Sequence, residues 1–560
     1  MKTNLLTAFF AIIFCFNTWA QSCLPDGITF TTQTEIDSFS VNYPGCTVIN
    51  ANIDIKGDNI TNLDGLVNLT VVGGIFRIES CNALINLNGL ANLNTVGTLI
   101  LYELPQITSL SGLANITSAY GLRLFHLPQI TSLIDLENIT LVGGPISLSL
   151  VDLPQLTSLT GLENITAVEG LGLSELPLIT NLDGLVNITS VGGGLFSLTN
   201  LPQITSLSGL DNITTIGGDI SLGNLPQVTS LNFLENITAV GGYLSFSELP
   251  QVTSLSDLEH ITTIGGDLVL YTLPEVTSLS GLKNLVSIGG TLVVFGGNPK
   301  LHNLKGLDSL KLVGGDIRIH YNLAMTSLKG LENLDSVGGR FTVSYNPVLS
   351  NCVVESLCHQ LDISLDSAFI ENNGAGCNSP AEVKAECELQ PGQCLANGIG
   401  FYNQAEVDQF TINFPGCKEI IGDVFIGGSD ISNLDSLSVL TSLGGGLDIS
   451  ETKLANLSGL ENLTSIGGVF RMSNDGSITQ LNALGNVTHI GGGLDLNNLP
   501  MLTSLAGLEN STFPSGASLY IANNSMLASL DKIGVFSSVI YCAISHNNTL
   551  HDLSGFIFFI

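Results

Sequence analysis

One unit of about two dozen residues recurs along most of this 560-residue chain, and it limits the possible folds more than any other feature. The leucine after the first glycine of each copy recurs every 23 to 26 residues, at positions 66, 90, 113, 136, 162, 185, 210, 234, 258, 282, 307 and 331. A fixed period of this length indicates stacked coils, because one copy cannot bury its own apolar face without its neighbours. The sequence therefore predicts a solenoid.

The spacing of apolar residues within one copy predicts the path of a coil. Between Leu207 and Ile216 an aliphatic residue stands at every third position, which fits a chain bending round corners better than an α-helix or an alternating strand. After two glycines, Ile220 and Leu222 alternate with polar or small residues, which predicts a short strand with both side chains facing inward. Strands of successive coils would stack in parallel about 4.8 Å apart. The predicted fold class is an all-β parallel β-solenoid.

The composition agrees with a stack of many similar layers. Hydrophobic residues make up 44% of the chain but aromatic residues only 6%, so we expect a core of Leu, Ile and Val. The chain has 48 acidic and 16 basic residues, and its net charge of −32 argues against nucleic acid and anionic lipid as partners. The acidity also has a simpler explanation, in which it keeps a long repeat protein soluble.

The first 20 residues have the pattern of a secretory signal peptide. Lys2 precedes an apolar run from Leu5 to Phe16, and Ala20 ends a small-residue cleavage site before Gln21. No later run reaches the length of a transmembrane helix. We therefore expect a secreted or cell-surface protein, in a compartment where disulfides form.

Two cysteine pairs mark the predicted start of two tandem units. Cys23 and Cys46 are 23 residues apart, and so are Cys394 and Cys417, with similar residues around both pairs. We expect each pair to form a disulfide within an N-terminal cap that contains a short helix and covers the open end of a solenoid.

A further cysteine cluster is expected to close the first unit with two more disulfides: Cys352, Cys358, Cys377 and Cys387. The sequence leaves three pairings of these four residues open. Their spacing lacks the paired C-x-x-C of a structural zinc finger, so we predict no metal and no cofactor.

The predicted domains follow from these clusters. They are a signal peptide at 1–20, a first solenoid at 21–390 and a second at 391–560. The first comprises a cap at 21–58, twelve coils at 59–350 and a cysteine-rich cap at 351–390. The second has a cap and four to five coils, without a closing cluster and with Cys542 lacking an obvious mate. We expect either a truncated sequence or a partner chain that covers the last coil.

The repeat resembles a known family. In residues 279–299, leucines and isoleucine precede a glycine pair, and an aliphatic strand and Asn298-Pro299 follow it. This sequence pattern is similar to that of the receptor L-domain, a relative of leucine-rich repeats found in the ectodomains of the insulin and epidermal-growth-factor receptors. The resemblance covers nearly all of the mature chain and implies a right-handed β-solenoid. It does not imply signalling, because the sequence contains no furin-like module or kinase. The chain is also similar to secreted, repeat-built surface proteins of Bacteroidota.

Outward-facing strand residues are expected to form columns from coil to coil. The middle column should contain Arg123 followed by Ser147, and the next column Phe125 followed by Ser149. Aromatic and charged residues of these strands are the predicted ligand-binding residues: Tyr243, Tyr271, Phe295, Arg318, His320 and Arg340 in one cluster, and Tyr102 and Phe125 in another. Exposed aromatics beside arginines are typical anchors for a protein or glycan ligand. A simpler explanation is that the rings only cover the sheet near its ends.

A column of asparagines forms glycosylation sequons in most copies: Asn115, Asn138, Asn164, Asn187, Asn212 and Asn236. A glycan on every coil would not fit a coil spacing of about 4.8 Å. We expect these side chains to bond to one another and to the backbone at a turn instead.

The sequence favours a non-catalytic binding or adhesion protein that presents a flat sheet to an extracellular protein or glycan. A polysaccharide-processing β-helix enzyme is an alternative, but Asp219, Asp267 and Asp316 stand on alternate coils, roughly 10 Å apart. An ice- or crystal-binding solenoid is a third class. It is suggested by one threonine column, which we expect to bond to backbone instead: Thr108, Thr131, Thr157, Thr180, Thr205, Thr229, Thr253 and Thr277.

Overall fold

The computed structural model describes residues 23–142, 148–389 and 392–553. They form two compact units, one from residue 23 to Val228 with Asn232–Asn236, the other Thr229–Leu231 with residues 237–553. This division falls inside the first predicted solenoid, and the boundary at residues 390 and 391 stays a prediction. The predicted signal peptide lies outside the described residues.

In the first unit each coil adds one strand to a parallel main sheet. Its strands are Ile28–Phe30, Ile53–Lys56, Val71–Glu79, Thr95–Tyr102, Ser118–Phe125, Leu148–Val151, Leu171–Ser174, Phe196–Thr199 and Ile220–Gly223. Shorter strands make a second set of parallel pairings: Val48–Ile49, Leu141–Val142, Ala167–Val168, Ser190–Val191 and Thr215–Ile216.

The second unit contains two runs of coils with the same plan. The main strands of the first run are Leu244–Ser247, Leu268–Tyr271, Leu292–Phe295, Ile317–His320, Phe341–Ser344 and Ala368–Glu371. Its short strands are Ala239–Val240, Thr263–Ile264, Ser287–Ile288, Leu312–Val313 and Ser336–Val337.

The second run continues the same parallel pairing. Its main strands are Ile399–Phe401, Val424–Gly427, Leu447–Ser450, Val469–Ser473, Gly493–Asn497, Thr512–Ala522 and Val535–Ser545. Its short strands are Gln393–Cys394, Glu419–Ile420, Ser442–Leu443, Ser465–Ile466 and His489–Ile490.

Alternation along the main strands separates core from surface. Ile220 and Leu222 are fully buried, whereas Ser221 between them is half-buried. Each inward residue pairs in step with an inward residue of the next coil, as Leu222 does with Leu198. Buried Leu, Ile and Val therefore stack in continuous columns, which removes apolar surface from water along each unit. The predicted all-β parallel solenoid is confirmed.

In many coils, three to five residues of the run with an aliphatic residue at every third position form a single turn of 3₁₀-helix. Because a 3₁₀-helix has three residues per turn, every third side chain points to the same side and enters the core. In the first unit these turns are Asp64–Leu66, Asn88–Leu90, Ser111–Leu113, Ile134–Leu136, Asp183–Leu185, Ser208–Leu210 and Asn232–Asn236. In the second they are Ser256–Leu258, Ser280–Leu282, Asp435–Leu437 and Asn482–Leu484. The spacing of the aliphatic residues predicted that the chain bends here, but it did not predict a 3₁₀-helix.

A residue with left-handed backbone follows the main strand in most coils. Asn224, Glu248, Thr272, Tyr321 and Tyr345 have φ angles between 50 and 59°. Side chains other than glycine, asparagine and aspartate rarely adopt this conformation, so neighbouring coils must hold it in place. The turn creates a second exposed column directly beside the last strand residue.

One predicted register is wrong. The structure pairs Arg123 with Ser149 and Phe125 with Val151, two residues later than predicted. The coil between Leu136 and Leu162 is the longest of the twelve, and its extra residues precede the strand. Ser147, the residue predicted to follow Arg123, lies outside the described residues.

Two similar caps, beginning at residues 23 and 394, precede the coils of the first unit and those of the second run. Disulfides join Cys23 to Cys46 and Cys394 to Cys417, the pairs indicated by their equal spacing. Each cap contains two short helices rather than one: Gln33–Asp37 and Phe39–Asn42, and Gln404–Asp408 and Phe410–Asn413.

The cysteine-rich segment that follows the first run forms two helices, Glu355–Ile363 and Pro380–Cys387, with a 3₁₀ turn at Leu365–Ser367. Of the three possible pairings, the structure has Cys352–Cys377 and Cys358–Cys387. The Glu386 carboxylate accepts hydrogen bonds from the backbone N–H groups of Leu395 (2.9 Å) and Ala396 (2.6 Å), which ties this segment to the next cap. Burial raises the pKa of Glu386.

Candidate functional site

Five rings of the second unit form a continuous surface strip, here called the aromatic strip: Tyr271, Phe295, His320, Tyr321 and Tyr345. The ring centroids of Tyr271 and Phe295 are 5.5 Å apart, and Phe295 lies 6.0 Å from His320 and 5.5 Å from Tyr321. Tyr321 stacks on Tyr345 at 4.8 Å with an interplanar angle of 6°. Each contact crosses from one coil to the next, so the strip follows the stacking direction.

Two columns supply the strip. Tyr271, Phe295 and His320 end consecutive main strands and pair in register, as the alternation predicts. Tyr321 and Tyr345 occupy the left-handed turn position and were not predicted, because the predicted columns contain only strand residues. A sequence signal existed. Both tyrosines directly precede an asparagine in successive coils, and the position they occupy holds a polar residue in most other coils.

The rings of the strip are accessible to solvent. The four large rings are 36 to 46% exposed, and the aliphatic side chains of Leu323 and Val348, which follow Tyr321 and Tyr345 along the chain, are also exposed. Aromatic rings of this kind contribute large contact area at low conformational cost.

Buried asparagines fix the turns that carry Tyr321 and Tyr345. Asn298 donates to Asn322 Oδ1 at 3.0 Å, and the backbone N–H of Asn322 donates to Asn346 Oδ1 at 3.0 Å. All three side chains are almost completely buried. Satisfied amide networks of this kind order the backbone around them. The two tyrosines are therefore held by the residues that follow them.

The predicted asparagine column is different from this buried network. Asn115 donates to the Ala91 carbonyl at 2.6 Å and Asn138 to the Ala114 carbonyl at 2.8 Å, each in the preceding coil. The other predicted members make the same bond to backbone. The backbone part of the prediction is confirmed, but these asparagines do not stack on one another through their amides.

The charged groups near the strip are already paired. Arg318 donates to Asp316 Oδ2 through Nη2 at 2.7 Å and Nε at 3.2 Å. The backbone N–H of Arg340, followed by the Arg318 guanidinium, lowers the pKa of Asp316. His320 Nδ1 lies 2.8 Å from Ser344 Oγ, and burial, then the charge of Arg318, lowers the pKa of His320. The strip thus presents a neutral imidazole at neutral pH.

Two residues of the predicted ligand-binding cluster lie elsewhere on the main sheet. Tyr243 and Arg340 each stand one residue before a main strand, at Leu244–Ser247 and Phe341–Ser344, whereas Tyr271 and Phe295 end their strands. The Arg340 guanidinium donates to the Asp366 carbonyl at 2.9 Å, so it supports the cysteine-rich segment.

The other predicted cluster belongs to the first unit. The Tyr102 ring lies 6.4 Å from Phe125 and 5.3 Å from His126, which again occupies a left-handed turn. His126 Nδ1 is 2.7 Å from Asp152 Oδ2. These rings are less exposed than those of the strip and form a smaller surface.

The isolated carboxylates have structural partners. Asp267 Oδ1 accepts the N–H of Thr291 at 2.6 Å, and Asp316 Oδ1 accepts that of Arg340 at 2.9 Å. Each carboxylate thus holds the start of the next strand. Within the part of the chain that the structure describes, no group of His, Cys, Asp and Glu has the arrangement of a metal site.

The threonine column is exposed in all eight predicted positions. Thr326 occupies the matching position of a later coil and donates to the His302 carbonyl at 3.3 Å, while Thr479 and Thr503 do the same in the second run. The structure describes all eight predicted threonines and shows no such bond at any of them, so the prediction of bonding to backbone is wrong for them.

No helix in the described ranges is long and apolar enough to cross a bilayer. No protein-family model matches the chain, and no curated protein matches it. Membership of the receptor L-domain family therefore remains a prediction from the repeat.

Solved structures similar to this chain include the functional domain of InlJ from Listeria monocytogenes, with 14% identity, 75% of this chain and 71% of that one covered, and a TM-score of 0.29. The internalin InlF from the same species has 16% identity, coverage of 76% and 86%, and a TM-score of 0.25. A TLR13–ssRNA13 complex has 13% identity, coverage of 89% and 82%, and a TM-score of 0.22. Similarity at this level says nothing about a ligand.

Proposed function

We propose that the protein is an extracellular, non-catalytic binding protein whose aromatic strip anchors a protein ligand. The observation that carries this proposal is the unbroken, exposed ring contact from Tyr271 to Tyr345 across successive coils. A protein gains little from exposing such a surface unless a partner covers it.

The composition of the strip favours a protein ligand over a glycan. The exposed aliphatic residues Leu323 and Val348 follow Tyr321 and Tyr345 closely along the chain. Arg318, paired with Asp316, stands two residues before His320. Protein interfaces combine a centre of aromatic and aliphatic side chains, which loses its water on binding, with a polar rim. The chain's net charge of −32 further favours a partner with a neutral or basic surface.

Four disulfides support an extracellular location, because thiols stay reduced in the cytosol. Two of these bonds hold the caps, and two hold the cysteine-rich segment after the first run. The signal-peptide pattern of residues 1–20 agrees with this location.

A panel of purified extracellular proteins and glycans tests the strip. The double variant Phe295→Ala/Tyr321→Ala should weaken binding to a protein of the panel by about tenfold or more, because central aromatic anchors dominate interface energy. Surface plasmon resonance gives the affinities, and thermal unfolding shows whether the variant stays folded.

The matched control is Tyr102→Ala/Phe125→Ala, which removes two rings from the first unit and should leave this affinity unchanged. Binding lost in the control but kept in the strip variant would place the site in the first unit. A panel in which only glycans bind through the strip would contradict the proposed ligand class.

A further inference from the structure

A second surface feature lies on the second run, outside all the residues predicted from the sequence. A groove of about 580 Å³ runs along the start of its first strands, here called the second-run groove. The lining side chains that can serve as ligand contacts are Tyr402, Phe425, Asp448 and Arg471, and Ala375 lines one side of the groove. It belongs to different coils from the aromatic strip.

Each of the two rings of the groove packs against a glycine of the sheet, and their planes are inclined at 43° to each other. Their centroids are 5.5 Å apart, and Tyr402 is 63% exposed. A Cβ on Gly400 would meet the Tyr402 ring at 2.7 to 2.8 Å, and one on Gly427 would meet the Phe425 ring at 2.4 Å. The glycines therefore leave the space in which each ring rests. A ring packed against a glycine leaves its opposite face, the apolar part of its surface, open to a ligand.

Polar groups next to the rings form a charge network across three coils. Arg471 Nη1 donates to Asp448 Oδ2 at 3.2 Å and Arg471 Nε donates to Asp495 Oδ2 at 3.0 Å. Their strands pair in register, so the three side chains stand in one column. Each carboxylate keeps acceptor capacity beyond the bond to Arg471, since an ionised carboxylate accepts at about four positions.

We propose that the second-run groove binds a neutral saccharide chain. A sugar ring has an apolar face that stacks on an aromatic ring and a rim of hydroxyls that donate to carboxylates and accept from a guanidinium. The groove places both kinds of group side by side on paired strands.

The charges of the groove decide between ligand classes. Arg471 is neutralised by two aspartates, and Asp423 adds another carboxylate at the groove, so an anionic polysaccharide would be repelled. Arg471 also occupies the space between Asp448 and Asp495 that a cation would need.

Affinity electrophoresis of the full chain tests this proposal. Native gels would contain laminarin, xyloglucan or galactomannan as neutral probes, and alginate or polygalacturonate as acidic ones. We expect at least one neutral polymer to retard the protein. Tyr402→Ala should weaken that interaction by about tenfold, as loss of one stacked ring does, and Asp448→Asn should weaken it independently of the ring.

Tyr520→Ala is the matched control, because Tyr520 stands in the same column as Arg471 and Asp495 but outside the groove. It should not change retardation, and neither should Phe295→Ala/Tyr321→Ala, which separates this proposal from the function of the strip. The proposal fails if no neutral polymer retards the protein, if only acidic polymers do, or if Tyr402→Ala and Tyr520→Ala have equal effects.

Discussion

Replacing Phe246 by alanine should lower the free energy of unfolding of the second unit by about 4 kcal/mol. Phe246 faces inward from the strand Leu244–Ser247 and is completely buried. Its removal takes apolar area out of the core and leaves a cavity that the coil paired with it cannot collapse into, because the strands Leu244–Ser247 and Leu268–Tyr271 are held in register. Urea unfolding of the full chain, followed by circular dichroism, measures the loss.

Phe295→Ala is the matched control for Phe246→Ala. Phe295 ends the strand Leu292–Phe295 on the outside and makes its main ring contacts within the aromatic strip. Removing an exposed ring should cost less than about 1 kcal/mol. Equal losses for the two variants would mean that the inward and outward assignments are wrong.

Gly289→Ala should cost about 3 kcal/mol, because it forces a side chain between two coils. A Cβ at this position would lie 2.2 Å from the carbonyl oxygen of Gly265 in the preceding coil and 2.9 Å from its carbonyl carbon. The N–H of Gly289 donates to the Ile264 carbonyl at 2.8 Å, so the backbone cannot move away without losing a ladder bond. Glycine is needed here for close approach of the coils, not for an unusual φ angle.

Gly476→Ala provides the control in the same unit. An added Cβ at Gly476 meets nothing within 4 Å, and the residue is exposed. Its stability should change by less than about 1 kcal/mol in either direction. A loss at Gly476 as large as that at Gly289 would show that contact between coils is not the cause.

The repeat predicted much of the fold because one physical rule governs every copy. The alternation at Ile220 and Leu222 identified the inward residues, since each coil buries the same face against its neighbours. The rule failed where one copy is longer, and Ser149 therefore stands in the column predicted for Ser147. Spacing also could not choose among the three pairings of Cys352, Cys358, Cys377 and Cys387, because that choice depends on how two helices pack.

The candidate sites were harder to predict, because they depend on backbone geometry between the repeated strands. Tyr321 and Tyr345 reach the strip through left-handed turns, and a left-handed turn at a tyrosine has no strong sequence signal. The second-run groove needs the cap strand Ile399–Phe401 to pair with Val424–Gly427, which brings Tyr402 beside Phe425. That pairing joins a cap to a coil, so the repeat pattern alone did not reveal it.

Hydroxyl-radical footprinting of the full chain, read by mass spectrometry, tests most directly whether the stacked coils present the aromatic strip as described. Tyr321 and Tyr345 should be oxidised rapidly in the folded protein, whereas the inward rings of Phe246 and Phe341 should stay protected until the chain unfolds. Oxidation of Phe246 and Phe341 as fast as that of the two tyrosines, under conditions where the protein remains folded, would contradict the account.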